Sequence, residues 1–192
     1  MTIAEDSLDL AVSKESFEKA IFDQYNFQEC SFADCTFNEC SFRGAVFDSV
    51  VFSYSSISLC DFQQAVFRDC TFIECRISGS YFMDSRLRSS SFERCTFQYA
   101  VFDKADISSS DFKASSFRQC SFEGLKSKKL SFIECNLDST SFRNTILAGV
   151  SFKGSDLSGI YLSDTYKELK GASLDVSQAL DVAKILGIKI IS

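Results

Sequence analysis

The chain has 192 residues, of which 45% are hydrophobic, and this ordinary content argues against disorder. The 26 acidic and 20 basic residues give a net charge of −6, which argues against direct nucleic-acid binding, because phosphate contacts need a basic surface. No apolar run approaches the roughly 20 residues that span a membrane, and the acidic N-terminus, MTIAEDSLDLAVSKES, lacks the plan of a signal peptide, so we expect a cytoplasmic protein.

Residues 1–16 form the first predicted segment. Only Val12 in this stretch follows the pattern that dominates the rest of the chain. We therefore expect residues 1–16 to act as an N-terminal cap over the regular structure that begins at Phe17.

A strict period of five residues governs the next segment, residues 17–165. All 21 phenylalanines have numbers that leave a remainder of 2 on division by five. From Phe17 to Leu162 the register covers 30 consecutive pentapeptides, and only Ser127 replaces a large apolar residue at the centre. Neither a helix nor an ordinary strand has this period. A short, fixed repeat of this length predicts a solenoid, in which each coil covers the next.

All nine cysteines lie two residues before a central position of the repeat. Ala, Ser, Thr or Val occupy most equivalent positions, so we interpret these cysteines as small, buried, reduced side chains. The chain has no histidine, and its closest cysteines are five residues apart. We therefore predict no metal site and no cofactor. The absence of histidine and of a nucleophile motif also predicts that the protein is not an enzyme.

Residues 125–130, LKSKKL, depart most from the repeat because Ser127 lies at the centre and three lysines surround it. One interpretation is a local bulge on the surface. The other, which we favour, is a degenerate pentapeptide that stays in register.

Residues 166–192 form the third segment, a C-terminal helix and strand after the polar link YKELKGA. Val176, Ala179, Leu180 and Ala183 have the spacing of an amphipathic helix. Ser173 or Asp175 suits its start and Gly187 its end, and an Ile-rich tail then predicts a short strand. Because an isolated helix of this length is marginal in water, we expect it to cap the last coil and to form a dimer contact. The predicted interface comprises Leu180, Ile185, Leu186, Ile188, Ile190 and Ile191. The alternative is a cap within one chain.

The pentapeptides C-S-F-A-D, C-T-F-N-E and C-S-F-R-G of residues 30–44 resemble the pentapeptide repeat family. The resemblance implies an all-β fold, a right-handed quadrilateral β-helix with four pentapeptides per coil, followed by a short C-terminal α-helix and strand. Outside the repeat, Leu174-Asp175, Gln178-Ala179 and Leu186-Gly187-Ile188 resemble the Qnr and MfpA branch. That resemblance implies a homodimer joined at its C-terminus. It also implies binding to DNA gyrase or topoisomerase IV by imitation of duplex DNA, with fluoroquinolone resistance as the outcome.

Sorting the outward residues by a period of 20 separates four faces, which we name after the central residues Phe22, Phe27, Phe32 and Phe37. The Phe22 face carries six acidic and three basic residues, and the Phe32 face carries five acidic and three basic residues. The Phe37 face, which begins at Phe17, has a net charge of −1, and the Phe27 face has a net charge of +2. We predict a partner-binding acidic stripe on the Phe22 face and on the next acidic face. Its residues are Asp61, Asp84, Asp103, Glu123, Glu74, Glu93 and Asp111.

The alternative function is a non-enzymatic interaction scaffold with an unrelated protein partner. Its binding surface would be basic or apolar, and both candidates lie on the Phe27 face. The basic candidate comprises Arg86, Arg88, Lys126, Lys128 and Lys129; the apolar one comprises Val46, Val66 and Ile146 in one column.

Overall fold

A period of five with nearly every central residue apolar requires the backbone to turn after each pentapeptide. In the computed structural model, which describes residues 3–191, the chain forms a parallel β-helix whose strands pair with a register of 20 residues, for example Phe27 with Phe47 and Phe32 with Phe52. Each coil therefore contains four pentapeptides, one on each face, as predicted. Residues 1, 2 and 192, which belong to the predicted terminal segments, lie outside the described part of the chain.

Three of the four faces are built from strands, most of them only three residues long. The Phe27 face contains β1 (Asp6–Leu8), β4 (Asn26–Gln28), β7 (Val46–Asp48), β10 (Val66–Arg68), β13 (Arg86–Arg88) and the first halves of β16 (Asp106–Lys113) and β18 (Lys126–Ile133). The Phe32 face contains β2 (Ala11–Ser13), β5 (Ser31–Ala33), β8 (Val51–Ser53), β11 (Thr71–Ile73), β14 (Ser91–Glu93) and the second halves of β16 and β18. The Phe37 face contains β3 (Ser16–Glu18), β6 (Thr36–Asn38), β9 (Ser56–Ser58), β12 (Arg76–Ser78), β15 (Thr96–Gln98) and β17 (Ser116–Arg118). On the Phe22 face, single parallel bridges such as Asp61 with Tyr81 join the coils.

The core consists of one ladder of stacked central side chains along each face; most are phenylalanines, and Ile or Leu takes their place at positions such as Ile57, Ile77 and Leu87. Phe42 and Phe62 lie 4.8 Å apart between ring centroids, with their rings nearly parallel at 2°. Rings of neighbouring faces meet edge to face, as Phe92 and Phe97 do at 5.7 Å. These geometries are the favoured ones for aromatic pairs, so the ladder combines area burial with specific ring contacts.

The small residues two positions before each centre fill the corners of the coils, where they also form hydrogen bonds. The Cys95 amide donates to Ser115 Oγ of the next coil at 3.0 Å, and Cys95 Sγ donates to the Phe72 carbonyl of the preceding coil at 3.5 Å. Small residues with a donor therefore connect neighbouring coils at the corners. All nine cysteines are buried and free.

The regular coils begin earlier than the predicted cap boundary. Strands β1 and β2 already pair in register with β4 and β5, and Val12 is buried in the core. Ser7 stands where later coils have a phenylalanine, and this substitution is why the sequence of the first coil lacks the obvious period.

The C-terminal segment contains a 3-10 helix, Lys167–Leu169, and one α-helix, α1, Val176–Ile185. Asp175 caps α1 as predicted, and Gly187, with φ of 74°, ends it in the left-handed conformation that favours glycine. None of the described helices is long and apolar enough to cross a membrane.

The side of α1 that carries Val176 and Leu180 faces solvent, and buried Gln178 faces the last coil. The prediction of a strand after the helix was wrong. Within residues 3–191, the Ile-rich tail forms no strand, because no neighbouring strand pairs with it; the Ile188 amide instead donates back to the Ala183 carbonyl at 2.9 Å.

Candidate protein-binding surfaces

The Phe22 face carries a row of carboxylates that repeats from coil to coil. Asp103 Oδ1 accepts hydrogen bonds from Ser121 Oγ at 2.5 Å and from the Glu123 amide at 2.9 Å. Glu123 accepts from Ser141 Oγ at 2.8 Å. These bonds to the next coil hold the carboxylates in a fixed row at the surface while leaving their charge uncompensated.

Arginine neutralises part of the predicted acidic stripe. On the Phe22 face, Asp61 pairs with Arg43 at 2.7 Å, whereas Asp84, Asp103 and Glu123 form no ion pair within the described residues. On the Phe32 face, Arg94 forms ion pairs with two residues of the predicted stripe, Glu74 of the preceding coil at 3.0 Å and the adjacent Glu93. Asp111 on that face has no ion pair within residues 3–191 and accepts a bond from Ser131 Oγ. Sorting the sequence by a period of 20 places these charges on one face but does not show which of them form ion pairs.

The two acidic faces lie on opposite sides of the coil, not next to each other as predicted. A coil runs through the Phe22, Phe27, Phe32 and Phe37 faces in turn, so a basic face and a nearly neutral face separate the acidic ones. One flat partner surface therefore contacts only one of them. The Phe22 face carries three carboxylates in successive coils that form no ion pair within residues 3–191, so it is the stronger candidate.

Within residues 3–191, the basic residues of the Phe27 face form no ion pair except for Arg68, which lies 3.9 Å from Asp48. Arg86, Asp106 and Lys126 are register partners in successive coils, as are Arg88, Ser108 and Lys128. Lys126 and Ser127 pair in register with Asp106 and Ile107, so the favoured interpretation of the degenerate pentapeptide is confirmed.

The apolar candidate on this face does not form one patch. Val46 and Val66 are neighbours in the sheet, but Arg86, Asp106 and Lys126 separate them from Ile146. A shared column was therefore insufficient evidence of contact. Ile146 itself is 74% exposed.

The C-terminal end presents an apolar surface formed by α1 and the tail. Of the predicted interface residues, Ile185 packs partly against the core, whereas the other five are exposed. The exposed five are Leu180, Leu186, Ile188, Ile190 and Ile191. Val176, on the same side of the helix as Leu180, is 81% exposed and joins this surface.

Two residues of the C-terminal pattern attach α1 to the coils. Gln178 Nε2 donates to the Ser155 carbonyl at 2.9 Å and to the Phe152 carbonyl, while its Oε1 accepts from the Asp175 amide at 2.8 Å. Asp175 Oδ2 accepts from the Gly154 amide at 3.1 Å. The aspartate and the glutamine three residues later thus form a capping box that also binds the last coil.

Glu168 is a buried carboxylate that sequence reasoning missed. Its Oε1 accepts from the Ser163 and Asn144 amides at 3.0 and 3.1 Å, while its Oε2 has no partner within the described residues. Burial raises the pKa of Glu168, but these hydrogen bonds outweigh burial and hold the pKa below its ordinary value. The sequence feature that could have identified Glu168 is a charged residue just after the repeat ends, where the backbone amides of the last coil need a hydrogen-bond acceptor.

Burial raises the pKa of Cys70 to about 12 and that of Cys135 to about 11. Both thiols are therefore inert packing groups. Within residues 3–191, no group of three or more metal-ligating side chains is close enough to hold an ion.

Comparisons with known proteins agree with this repeat architecture. A family model described as "Pentapeptide repeat region" matches residues 46–116 and 100–174, and a model of "Pentapeptide repeats (8 copies)" matches residues 26–64. No curated protein matches the chain.

Among solved structures, trypsin-treated QnrB1, a plasmid-mediated fluoroquinolone resistance protein, is 22% identical with a TM-score of 0.48, over 96% of this chain and 99% of that one. HetL from Nostoc sp. strain PCC 7120, a pentapeptide repeat protein involved in heterocyst differentiation regulation, is 15% identical with a TM-score of 0.37, over 87% and 88%. A pentapeptide repeat protein from the Arabidopsis thaliana thylakoid lumen is 21% identical with a TM-score of 0.29, over 74% and 77%.

Proposed function

This chain belongs to the pentapeptide repeat family, and from that premise we propose that it is a non-enzymatic DNA mimic that binds DNA gyrase or topoisomerase IV. By occupying the surface that binds duplex DNA, it modulates the topoisomerase and lowers its sensitivity to fluoroquinolones. The observation that carries the proposal is the row of Asp84, Asp103 and Glu123 on the Phe22 face.

The spacing of this row sets the quality of the imitation. The row supplies about one charge per coil, and each coil rises by about 4.8 Å. The charge spacing is therefore about 4.8 Å, against about 1.7 Å in DNA. The imitation is therefore partial, and binding depends on several coils acting together. Since the hydrogen bonds from Ser121 and Ser141 already fix two of the carboxylates, binding costs little further ordering.

The proposal includes a homodimer formed through the C-terminal ends. The exposed apolar side of α1 and its tail is an unusual surface for a monomer, and a twofold axis at this end would cover it with its own copy. End-to-end pairing would also continue the carboxylate row of one chain into that of its partner. The resemblance of the Leu174–Ile188 pattern to the Qnr and MfpA branch supports the same assembly.

Gyrase supercoiling with the purified protein, with and without ciprofloxacin and across a salt series, tests the proposal. We expect inhibition or drug protection that weakens as salt rises, because the contact is largely electrostatic. The triple variant Asp84→Lys, Asp103→Lys, Glu123→Lys should lose the effect while keeping its circular dichroism spectrum.

A matched set of three reversals on the opposite face, Glu74→Lys, Glu93→Lys and Asp111→Lys, is the control. We expect it to retain the effect, because Arg94 already neutralises two of these residues. Equal activity of both triple variants, or no effect of the native protein on either topoisomerase, would refute the proposal.

A further inference from the structure

One corner of the β-helix carries an apolar patch in its middle coils. At the corner between the Phe37 and Phe22 faces, two outward residues flank a buried small residue in each coil, as Leu59 and Asp61 flank Cys60. In three successive coils the large apolar side chains at this corner are Leu59, Tyr81 and Tyr99, which are 56%, 45% and 53% exposed. We call these three residues the corner patch.

The register of the coils brings these side chains together along the corner. Tyr81 forms a parallel bridge with Val101 of the next coil. Gly79 lies between Leu59 and Tyr99 along the corner, and a Cβ atom at residue 79 would lie 2.8 Å from Leu59 Cδ2. Because residue 79 has no side chain, Leu59 covers the coil of Gly79 and Tyr81 and extends toward that of Tyr99.

Polar side chains bound the corner patch along the axis of the β-helix. The preceding coil has Glu39 and Ser41 at this corner, and the following coil has Gln119 and Ser121. Each tyrosine exposes about 100 Å², half of the 150–250 Å² that an aromatic side chain can bury. With Leu59 the exposed apolar area reaches about 300 Å², within the range of the largest patch on a typical monomer, which is often functional. Such an area marks an interaction site better than a singly exposed side chain does.

Charge distinguishes the two sides of the corner patch. On the Phe37 side the neighbouring outward residues are uncharged: Ser58, Ser78 and Gln98. On the Phe22 side lies the carboxylate row, since Asp103 follows Val101 by two residues and points to the same side of the chain, about 7 Å away. Lys104 extends over Gly124 of the next coil, away from Asp84. A complementary surface therefore combines an apolar side chain with basic groups on one side of it.

We propose that the corner patch is the apolar anchor of the topoisomerase-binding surface, an inference that rests on the proposed function. The patch receives an apolar side chain of the topoisomerase, while lysines or arginines beside that side chain meet Asp84 and Asp103. Tyrosine suits this role, because it supplies a large, rigid contact area and is common among the residues that dominate binding energy. Since the carboxylate row imitates DNA with a low charge density, the corner patch supplies affinity that salt does not screen.

The test measures the affinity of the full-length protein for intact gyrase by surface plasmon resonance across a salt series. The triple variant Leu59→Ser, Tyr81→Ser, Tyr99→Ser should raise Kd at least about tenfold at every salt concentration, as loss of central aromatic contacts does. The slope of log Kd against log salt should equal that of the native protein, because no charge changes. The triple reversal of the carboxylate row should instead reduce that slope.

Two control variants make the test specific. The double variant Val51→Ser, Tyr54→Ser removes apolar side chains of the Phe32 face that are 37% and 58% exposed. Its Kd should equal that of the native protein, because that face lies opposite the carboxylate row. The double variant Tyr81→Phe, Tyr99→Phe keeps both rings and should also bind like the native protein, since the aromatic surface and not the hydroxyl makes the contact. All variants should keep the native circular dichroism spectrum, because the changed side chains point away from the core.

Equal Kd values for the native protein and the triple serine variant, with gyrase bound by both, would overturn this inference and leave the proposed function standing. An equal loss of affinity in the Phe32-face control would reduce the contact to general apolar adhesion and would also overturn it. So would a smaller oligomer of the triple serine variant in light scattering with unchanged gyrase affinity, which would assign the corner patch to a contact between copies of this chain. No binding of the native protein to gyrase or topoisomerase IV would remove the proposed function and this inference together.

Discussion

Replacement of Gln178 by alanine tests whether the C-terminal helix is held to the β-helix by a single buried side chain. Gln178 is 1% exposed and makes three hydrogen bonds, two to carbonyls of the last coil and one within the capping box. A hydrogen bond contributes about 1 kcal/mol net, and a buried group left without its partner costs about 1–3 kcal/mol. Some of the freed groups will reach water, so we expect a total loss of about 2–4 kcal/mol.

Differential scanning calorimetry and hydrogen exchange measure this loss. For a chain of this size each kcal/mol lowers Tm by about 2–4 °C, so a fall of about 4–16 °C is expected. Faster exchange should be confined at first to residues 176–186 and the coil beneath them, since repeat proteins lose end units before the centre. Lys184→Ala, in the same helix with a side chain that is 67% exposed, is the control and should leave Tm nearly unchanged, because surface ion pairs contribute little. Equal Tm values and equal exchange for the two variants would refute the docking role of Gln178.

Four other predictions follow from the same geometry. Phe92→Ala should lower the free energy of unfolding by about 3–5 kcal/mol in urea titrations, because the ring stacks at 4.5 and 4.7 Å on both neighbours; a loss below 1 kcal/mol would contradict the ladder. Ser115→Ala removes the acceptor of the buried Cys95 amide and should cost about 1–3 kcal/mol by the same assay. Ile190→Asp should convert dimers to monomers in size-exclusion chromatography with light scattering, and an intact dimer would place the contact elsewhere. The lowered pKa of Glu168 contributes stability above the unfolded pKa of about 4.3 that is lost as pH falls through the folded pKa, so Glu168→Gln should make Tm less dependent on pH in acid; an unchanged acid limb would disprove this contribution.

The repeat made most of the fold predictable, because each pentapeptide carries the whole rule for its own conformation. One central ring and one small corner residue suffice to place the backbone, and the register of 20 then follows from stacking identical units. The first coil escaped detection because Ser7 occupies a position that phenylalanine fills later. Residues 6–8 belong to the coils because they pair with Phe27 and its neighbours, and a local sequence pattern cannot show a contact between residues so far apart in the chain.

The C-terminal helix was predicted at the right place, but the sequence did not identify Gln178 as the residue that attaches it to the coils. Helical periodicity identifies an apolar side, and the usual inference is that this side meets the core. Here the last coil ends in backbone carbonyls, at Phe152 and Ser155, so the side chain that fits it must donate hydrogen bonds. Gln178 does so, and the apolar side is left for another surface. Hydropathy alone therefore fails wherever a helix packs against the polar end of a sheet.

The outward residues of a solenoid are the part that folding leaves free to vary. Reversing Asp84 or Lys126 removes no core contact and no bond between coils, so such variants should separate binding from stability in a way that variants of a compact enzyme seldom do. The positions that depart from the repeat, in contrast, do change the packing between coils. Ser127 opens the stack, and the segment that follows Leu162 closes it, so each sacrifices the packing that an ordinary pentapeptide would give. Restoring the repeat with Ser127→Phe should therefore raise Tm, and a variant that gained no stability would refute the inference that Ser127 weakens the packing between these coils.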